Sequence, residues 1–300
     1  MDISLEIVII GALTGLTYAV LAAGLVLVYR ATRVINFAHG EIGAFGAAVL
    51  AKLVLDHGWN FWLALVATTA LGGAIGALID LAVVRRLFRA PRLVLLVATI
   101  GVAQVMFFAQ AVLPSPDKPS QYPTPLHGTL KVGKLLLASQ HFMVIALVPL
   151  IIAALAWFLN RTPYGLAVRA AAANPDAAEL AGISTRRVST LVWVIAGMAA
   201  TLTAVLINPL RGTIVGIPSV ALGPGLLLRA LAAGLVGRLT SLPVVLAGGV
   251  GIGLIEAVIF ANVQDPGVAD AVIFVLVLVL VLTRGVRAGG DDAQGYSLAP

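Results

Sequence analysis

Few residues in this chain could do chemistry, and they are scattered. The densest group is Asn36-Phe37-Ala38-His39-Gly40-Glu41, which sets an imidazole close to a carboxylate. A His-x-Glu pair opens zinc deaminase sites, but those sites need thiolate ligands and the chain has no cysteine. The lack of cysteine also excludes thiol nucleophiles, disulfides and iron–sulfur clusters. There is no His-Glu-x-x-His pair and no serine nucleophile elbow. Gly128-Thr-Leu-Lys-Val-Gly133-Lys134 matches most of a phosphate-binding loop. Leu135, however, stands where a Ser or Thr must reach Mg²⁺, and no strand-to-helix context surrounds it. The remaining ionisable residues, Asp80, Arg229 and Glu256, lie with His39 and Glu41 inside long apolar runs. A charge there is costly unless it pairs with protein or faces a water-filled path. Asp80, beside Arg85 and Arg86, reads as a residue snorkelling to the surface. For Glu256, lining a path and pairing with Arg229 both stand open.

The runs that position these groups dominate the composition. Of 300 residues, 60% are apolar and 11% charged, with a mean hydropathy of +1.06. A soluble domain averages about 25% charged residues, so this chain has too few charges to cover a water-exposed globule. It reads as an all-α polytopic membrane protein. Crossing ~30 Å of hydrocarbon takes about 20 apolar residues. Such runs lie at Leu5–Val28, Val34–Leu55, Phe61–Val84, Leu93–Leu113, Phe142–Leu159, Val188–Ile207, Leu242–Ala261 and Ala271–Leu282, giving about eight crossings. Gly212–Gly237, punctuated by Gly216, Pro218, Gly223, Pro224 and Gly225, is a ninth apolar segment, open to reading as a full crossing, a broken helix or a re-entrant hairpin. The first run lacks a basic lead and reads as a retained helix.

The formal charge of +6 is not a nucleic-acid footprint, because Lys and Arg sit singly or in small clusters between apolar runs. Placing the first loop inside puts Arg30/Arg33, Arg85/Arg86/Arg89/Arg92 and Arg161/Arg169/Arg186/Arg187 on the cytoplasmic side, and Arg284/Arg287 with them if Gly212–Gly237 crosses or an earlier apparent span does not. Positive-inside counting therefore favours an outer N-terminus and a cytoplasmic C-terminus. Residues 1–288 form one transmembrane domain, and 289–300 a flexible tail. Two loops interrupt it: an extracytoplasmic, proline-rich stretch at 114–141 and a cytoplasmic one at 161–187. In the latter, Thr162-Pro163 and Asn174-Pro175 each supply a cap followed by a first-turn proline, predicting two short helices that end at Gly182. On an unbroken helix Glu41 falls nearly opposite His39, so either the two serve different surfaces or the helix opens near Gly40. Gly11/Gly15, Gly72/Gly76 and Gly249/Gly253 are spaced for close helix packing.

Ile35-Asn36-Phe37-Ala38-His39-Gly40-Glu41, followed by a Gly/Ala-rich run, resembles the hallmark of the smaller, LivH-type permease of branched-chain amino acid ABC importers. Arg161-Thr-Pro-Tyr-Gly165-Leu-Ala-Val-Arg169-Ala170, continuing through Asn174, Ala178 and Gly182-Ile183, is similar to that family's coupling loop. The resemblance covers nearly the whole chain, including Gly253 to Glu256. It implies a bacterial inner-membrane subunit carrying branched-chain or related amino acids; relatives of this type also serve urea and short amides. It further implies a longer companion permease, two cytoplasmic ATPases that hold ATP and Mg²⁺, and an external substrate-binding protein, with no cofactor on this chain. By that resemblance Asn36, His39, Gly40, Glu41 and Glu256 belong to the solute path. Gly165, Arg169, Ala170, Asn174, Ala178 and Gly182 form the ATPase-coupling element. The chain departs from the family at Gly237-Arg238, where a Gly-Gly pair is usual, at Pro243, where glycine is common, and in its longer outside loop. Two other function classes stand beside this one. An ion-coupled carrier would recruit Glu41, Asp80 and Glu256, and an intramembrane enzyme would need more clustered polar groups than His39 and Glu41.

Overall fold

In lipid the backbone must satisfy its own hydrogen bonds, so the apolar runs become helices. The computed structural model describes residues 4–87, 90–113, 120–125, 128–132, 135–215, 222–263 and 265–295. Helix α1 (Leu5–Thr32) starts where the Ser4 hydroxyl accepts the Ile7 N–H, and it stops at Arg33 in the left-handed conformation. It is followed by α2 (His39–Leu55), α3 (Phe61–Ile79) with a π-helical turn at Asp80–Val84, and α4 (Arg92–Val112). Next come α5 (Ser139–Arg161), α6 (Pro163–Ala173) and α7 (Pro175–Leu180). The chain closes with α8 (Thr185–Leu210), α9 (Leu222–Val236), α10 (Leu242–Val263) and α11 (Pro266–Gly295). The last helix enters the segment read as a tail.

Among the described residues six helices are long and apolar enough to cross a membrane, fewer than the eight crossings expected from sequence; α9 and Gly267–Thr283 of α11 are apolar but shorter. The second run shows why. It was read as helical from Val34, but α2 begins only at His39. The Asn36 side chain accepts the Ala38 N–H at 3.0 Å and its carbonyl accepts the His39 N–H at 3.2 Å. This local turn replaces the first helical bonds. Of the broken segment, 216–221 lie outside the described residues and 222–236 form α9. Two short antiparallel ribbons join the helices. Strand β1 (Ser120–Gln121) pairs with β4 (Ile214–Val215), and β2 (Thr129–Val132) pairs with β3 (Leu135–Ala138). The Tyr122 hydroxyl donates to the Ala47 carbonyl at 2.9 Å, pinning this layer to α2.

Two four-helix units emerge from the packing. In the first unit α2 touches α3 and α4; in the second, α9 touches α10 and α11. Across the units α1 packs on α10 as α8 packs on α3, and α1 meets α9 as α8 meets α2. The units are mutually inverted: Thr17 of α1 faces Thr203 of α8, while Gly24 faces Ala199. Sequence echoes the geometry, for Gly72-Gly73-x4-Leu78-Ile79-Asp80 recurs as Gly248-Gly249-x4-Leu254-Ile255-Glu256. The α1–α10 contact is close enough that a Cβ on Gly15 would sit 2.6 Å from the Val250 Cα, and one on Gly253 would meet the Gly15 backbone. Backbones this near gain dispersion that lipid-facing side chains cannot supply.

Arg33, Arg85 and Arg186 collect at one end. Arg33 Nη2 donates to the Ala172 carbonyl at 3.3 Å, and Arg85 Nη2 to the Arg186 carbonyl at 3.1 Å. The last turns of α1, α3 and α5 therefore meet α6 and the start of α8 there.

Candidate functional site

The Asn36–Glu41 segment sits deep in the bundle because α2 starts there and not at the bundle's end. His39 is fully buried, and its Nε2 lies 2.9 Å from the Leu21 carbonyl in the body of α1. A carbonyl only accepts, so Nε2 carries the proton and Nδ1 is left as a buried lone pair without a partner. Asn36 keeps its Nδ2 unpaired as well. The Phe37 N–H reaches Thr99 of α4 at 3.3 Å, so a third helix holds the turn.

Glu41, in the first turn of α2, faces the other way. A Cβ on Gly223 at the start of α9 would fall onto its carboxylate, and a Cβ on Gly40 would fall onto the Gly223 carbonyl. The two short helices thus begin face to face, and only paired glycines let them approach. Of the two readings of the helical wheel, different surfaces describes the result: His39 addresses α1 and Glu41 addresses α9. Among the described residues the Glu41 carboxylate has no hydrogen-bond partner. The positive end of the α2 dipole favours its negative charge.

Glu256 belongs to a different cluster. It accepts from the Tyr18 hydroxyl at 2.6 Å, from Arg211 Nη2 at 3.2 Å, and from Arg229 through Nη2 at 2.5 Å and Nε at 3.1 Å. Arg229 also donates to the Gly225 carbonyl at 2.9 Å, lies 2.9 Å from Asp270, and stacks over the Tyr18 ring. Three helices and the residue after α8 therefore meet at one carboxylate, and Asp270 of α11 joins them through Arg229. Among the described residues no hydrogen bond or ion pair joins this cluster to Asn36, His39 or Glu41. Asp80, which occupies the matching place in the first unit, is a correction. It is fully buried, not snorkelling, and accepts from Ser189 at 2.6 Å, Thr190 at 2.5 Å and Arg85 at 3.3 Å. The π-helical turn beginning at Asp80 accompanies this inward aim.

The 161–187 segment folds as its caps require. Thr162 Oγ1 accepts the Gly165 N–H at 3.0 Å to open α6, and Asn174 Oδ1 accepts the Ala177 N–H at 3.0 Å to open α7. Gly165 presses on the Phe158 carbonyl and Leu159, which seats α6 on the end of α5. Ala178 is buried, Ala170 partly so, and Gly182 turns the chain at φ +83° toward α8. Arg169 points back to the body, donating to Asn160 at 3.3 Å. Leu180, at the tip, is 91% exposed.

Comparison with known proteins converges on one family. The family described as "Branched-chain amino acid transport system / permease component" matches residues 7–282. The chain belongs to this permease family. It is 30% identical over 288 residues to the "High-affinity branched-chain amino acid transport system permease protein BraD" of Pseudomonas aeruginosa, covering 91% of this chain and 92% of the relative. It is 29% identical over 286 residues to the corresponding LivH protein of Escherichia coli K12, covering 91% of each. A "Probable branched-chain amino acid transport permease protein LivH" of Methanocaldococcus jannaschii matches at 27% over 250 residues, 80% of this chain and 76% of the relative.

In this member of the permease family, the sequence marks the polar cluster and the capped loop but not Tyr18, Ser189, Thr190 and Arg211. The repeated Gly-Gly-x4-Leu-Ile-acid motif was the available signal: it places Asp80 and Glu256 in equivalent roles, each needing partners from the opposite unit. At the departure Gly237-Arg238, Arg238 takes φ +55° and Leu239 the same value, backbone that glycine adopts without strain.

Proposed function

We propose that this permease is the smaller, LivH-type translocation subunit of an ATP-driven importer for branched-chain or related amino acids. Asn36, His39, Gly40 and Glu41 line or shape the path, and Glu256 fixes its wall. An unpaired carboxylate beside two helix starts suits a solute that bears an ammonium group. The α6–α7 element, with Gly165, Arg169, Ala170, Asn174, Ala178 and Gly182, seats in a cytoplasmic ATPase that holds ATP and Mg²⁺. A longer companion permease and an external binding protein complete the assembly in the bacterial inner membrane, the N-terminus outside and the C-terminus cytoplasmic.

The observation that carries this reading is the capped two-helix element at the arginine-rich end, whose apolar tip Leu180 has nothing to cover it. An ion-coupled carrier is less well served. Asp80 and Glu256, two of the three acids it would recruit, already have protein partners, which leaves it Glu41 alone. The test is uptake in proteoliposomes with the companion subunits and binding protein. Leu180→Glu, and separately the Arg169→Glu/Ala170→Glu pair, should abolish both uptake and stimulation of ATP hydrolysis while the chain stays folded. Undiminished stimulation in these variants overturns the coupling assignment.

A further inference from the structure

A cleft of about 360 Å³ runs between α1, α5 and the turn from α9 into α10. Its walls are apolar, formed by Val20 and Ala23 of α1, Ile152 and Leu155 of α5, and Leu246 of α10. Its polar groups gather at the arginine-rich end, where Arg30, Asn160, Arg169 and Ser241 line the mouth. Val20 and Arg30 bracket the length of the cleft along α1. At 1.5 Å per residue that is about 15 Å, the hydrocarbon depth of one leaflet of a bilayer whose core is ~30 Å.

The charges at the mouth lack a counter-ion. Among the described residues Arg30 has no hydrogen bond or ion pair, and Arg169 reaches only the neutral Asn160. Ala156 in the lining is exposed, and Leu150 and Val244 on the flanking helices are exposed beside it, so the cleft opens sideways toward lipid. An amino-acid zwitterion would strand its charges against these walls. A molecule with one long apolar chain and one anionic end satisfies both parts.

We propose that this cleft binds one anionic phospholipid, its acyl chain along α1 and α5 and its phosphate between Arg30 and Arg169. Basic pockets between transmembrane helices bind lipid headgroups by this same division of labour. The site is distinct from the Asn36–Glu41 path, and its test reads lipid and not transport.

The full-length protein, purified in mild detergent, is equilibrated with phosphatidylglycerol and phosphatidylcholine of matched chains and weighed by native mass spectrometry. One phosphatidylglycerol should be retained per chain, preferred about thirtyfold over phosphatidylcholine, the discrimination expected of two arginine contacts to an anionic headgroup. Arg30→Gln/Arg169→Gln should erase that preference. Ala156→Phe, which keeps both arginines and fills the cleft, should remove retention of either lipid; it decides the matter if the double variant does not fold. Equal retention of the two lipids by the unmodified chain overturns the proposal, as does phosphatidylglycerol held undiminished by Ala156→Phe. Displacement of the lipid by inorganic phosphate alone also overturns it, because the acyl chain would then contribute nothing. So does efficient crosslinking between two chains through Ala156→Cys, the sole cysteine of that variant, because a second copy would then fill the cleft.

Discussion

Removing the Glu256 side chain tests whether the buried ionic cluster is held by charge compensation. Arg229 is 3% exposed, whereas its neighbours Arg211 and Asp270 are 29% and 43% exposed at the side chain. In Glu256→Ala, Arg211 can turn to solvent, but Arg229 keeps only the Gly225 carbonyl, Asp270 and the Tyr18 ring. Breaking a buried pair from one side costs about 3–5 kcal/mol, and the retained Asp270 places this case near 3 kcal/mol. An ordinary interhelical hydrogen bond in a membrane contributes about 0.6 kcal/mol, so the two explanations are well separated. The pair variant Glu256→Met/Arg229→Met leaves no buried charge. It should lie within about 1 kcal/mol of the parent, since apolar replacement of a whole buried pair is often neutral or stabilising. Reversible unfolding in mixed micelles measures both, together with the Glu256→Met and Arg229→Met singles. If Glu256→Ala costs less than about 1 kcal/mol, or if the pair variant costs the sum of its singles, charge compensation is not what holds these helices.

The close α1–α10 packing makes Gly253→Ala destabilising by about 1–3 kcal/mol, whereas Gly251→Ala, which meets nothing within 4 Å, should stabilise by about 0.5–1 kcal/mol; the same unfolding assay separates them. Asp80→Ala strips the acceptor shared by Ser189, Thr190 and Arg85. Amide exchange should therefore quicken at both 80–87 and 185–190, and an effect confined to the first segment would refute a link between α3 and α8. Thr162→Ala removes the α6 cap at a cost of about 0.5–2 kcal/mol, visible as faster exchange in 163–167 with α7 unchanged. Arg238→Gly should be tolerated or stabilising by about 1 kcal/mol, because the left-handed backbone there penalises a Cβ.

Local chemistry was legible where local rules govern. Thr162-Pro163 and Asn174-Pro175 announced two helices because cap and proline act within four residues, and the structure places both as read. Asn36 shows the converse. Its side chain captures the Ala38 N–H and delays α2 to His39, a competition between turn and helix that apolar periodicity does not register. The inward turn of Asp80 was hidden for a different reason. Its partners lie more than a hundred residues away, so the nearby Arg85 and Arg86 pointed to the surface, while Ser189 and Thr190 decided for the interior. For Glu256 the pairing with Arg229 was among the readings weighed, but Tyr18 and Arg211 required the fold.

Helix α5 has no counterpart in either four-helix unit. Four helices that alternate in direction return the chain to the end from which it set out, so two copies joined head to tail would share one orientation. One additional helix between them reverses the second copy. Excising α5 with its flanking loops would therefore not merely shorten the protein: it would remove the reversal of chain direction that lets the α8–α11 half lie inverted against α1–α4.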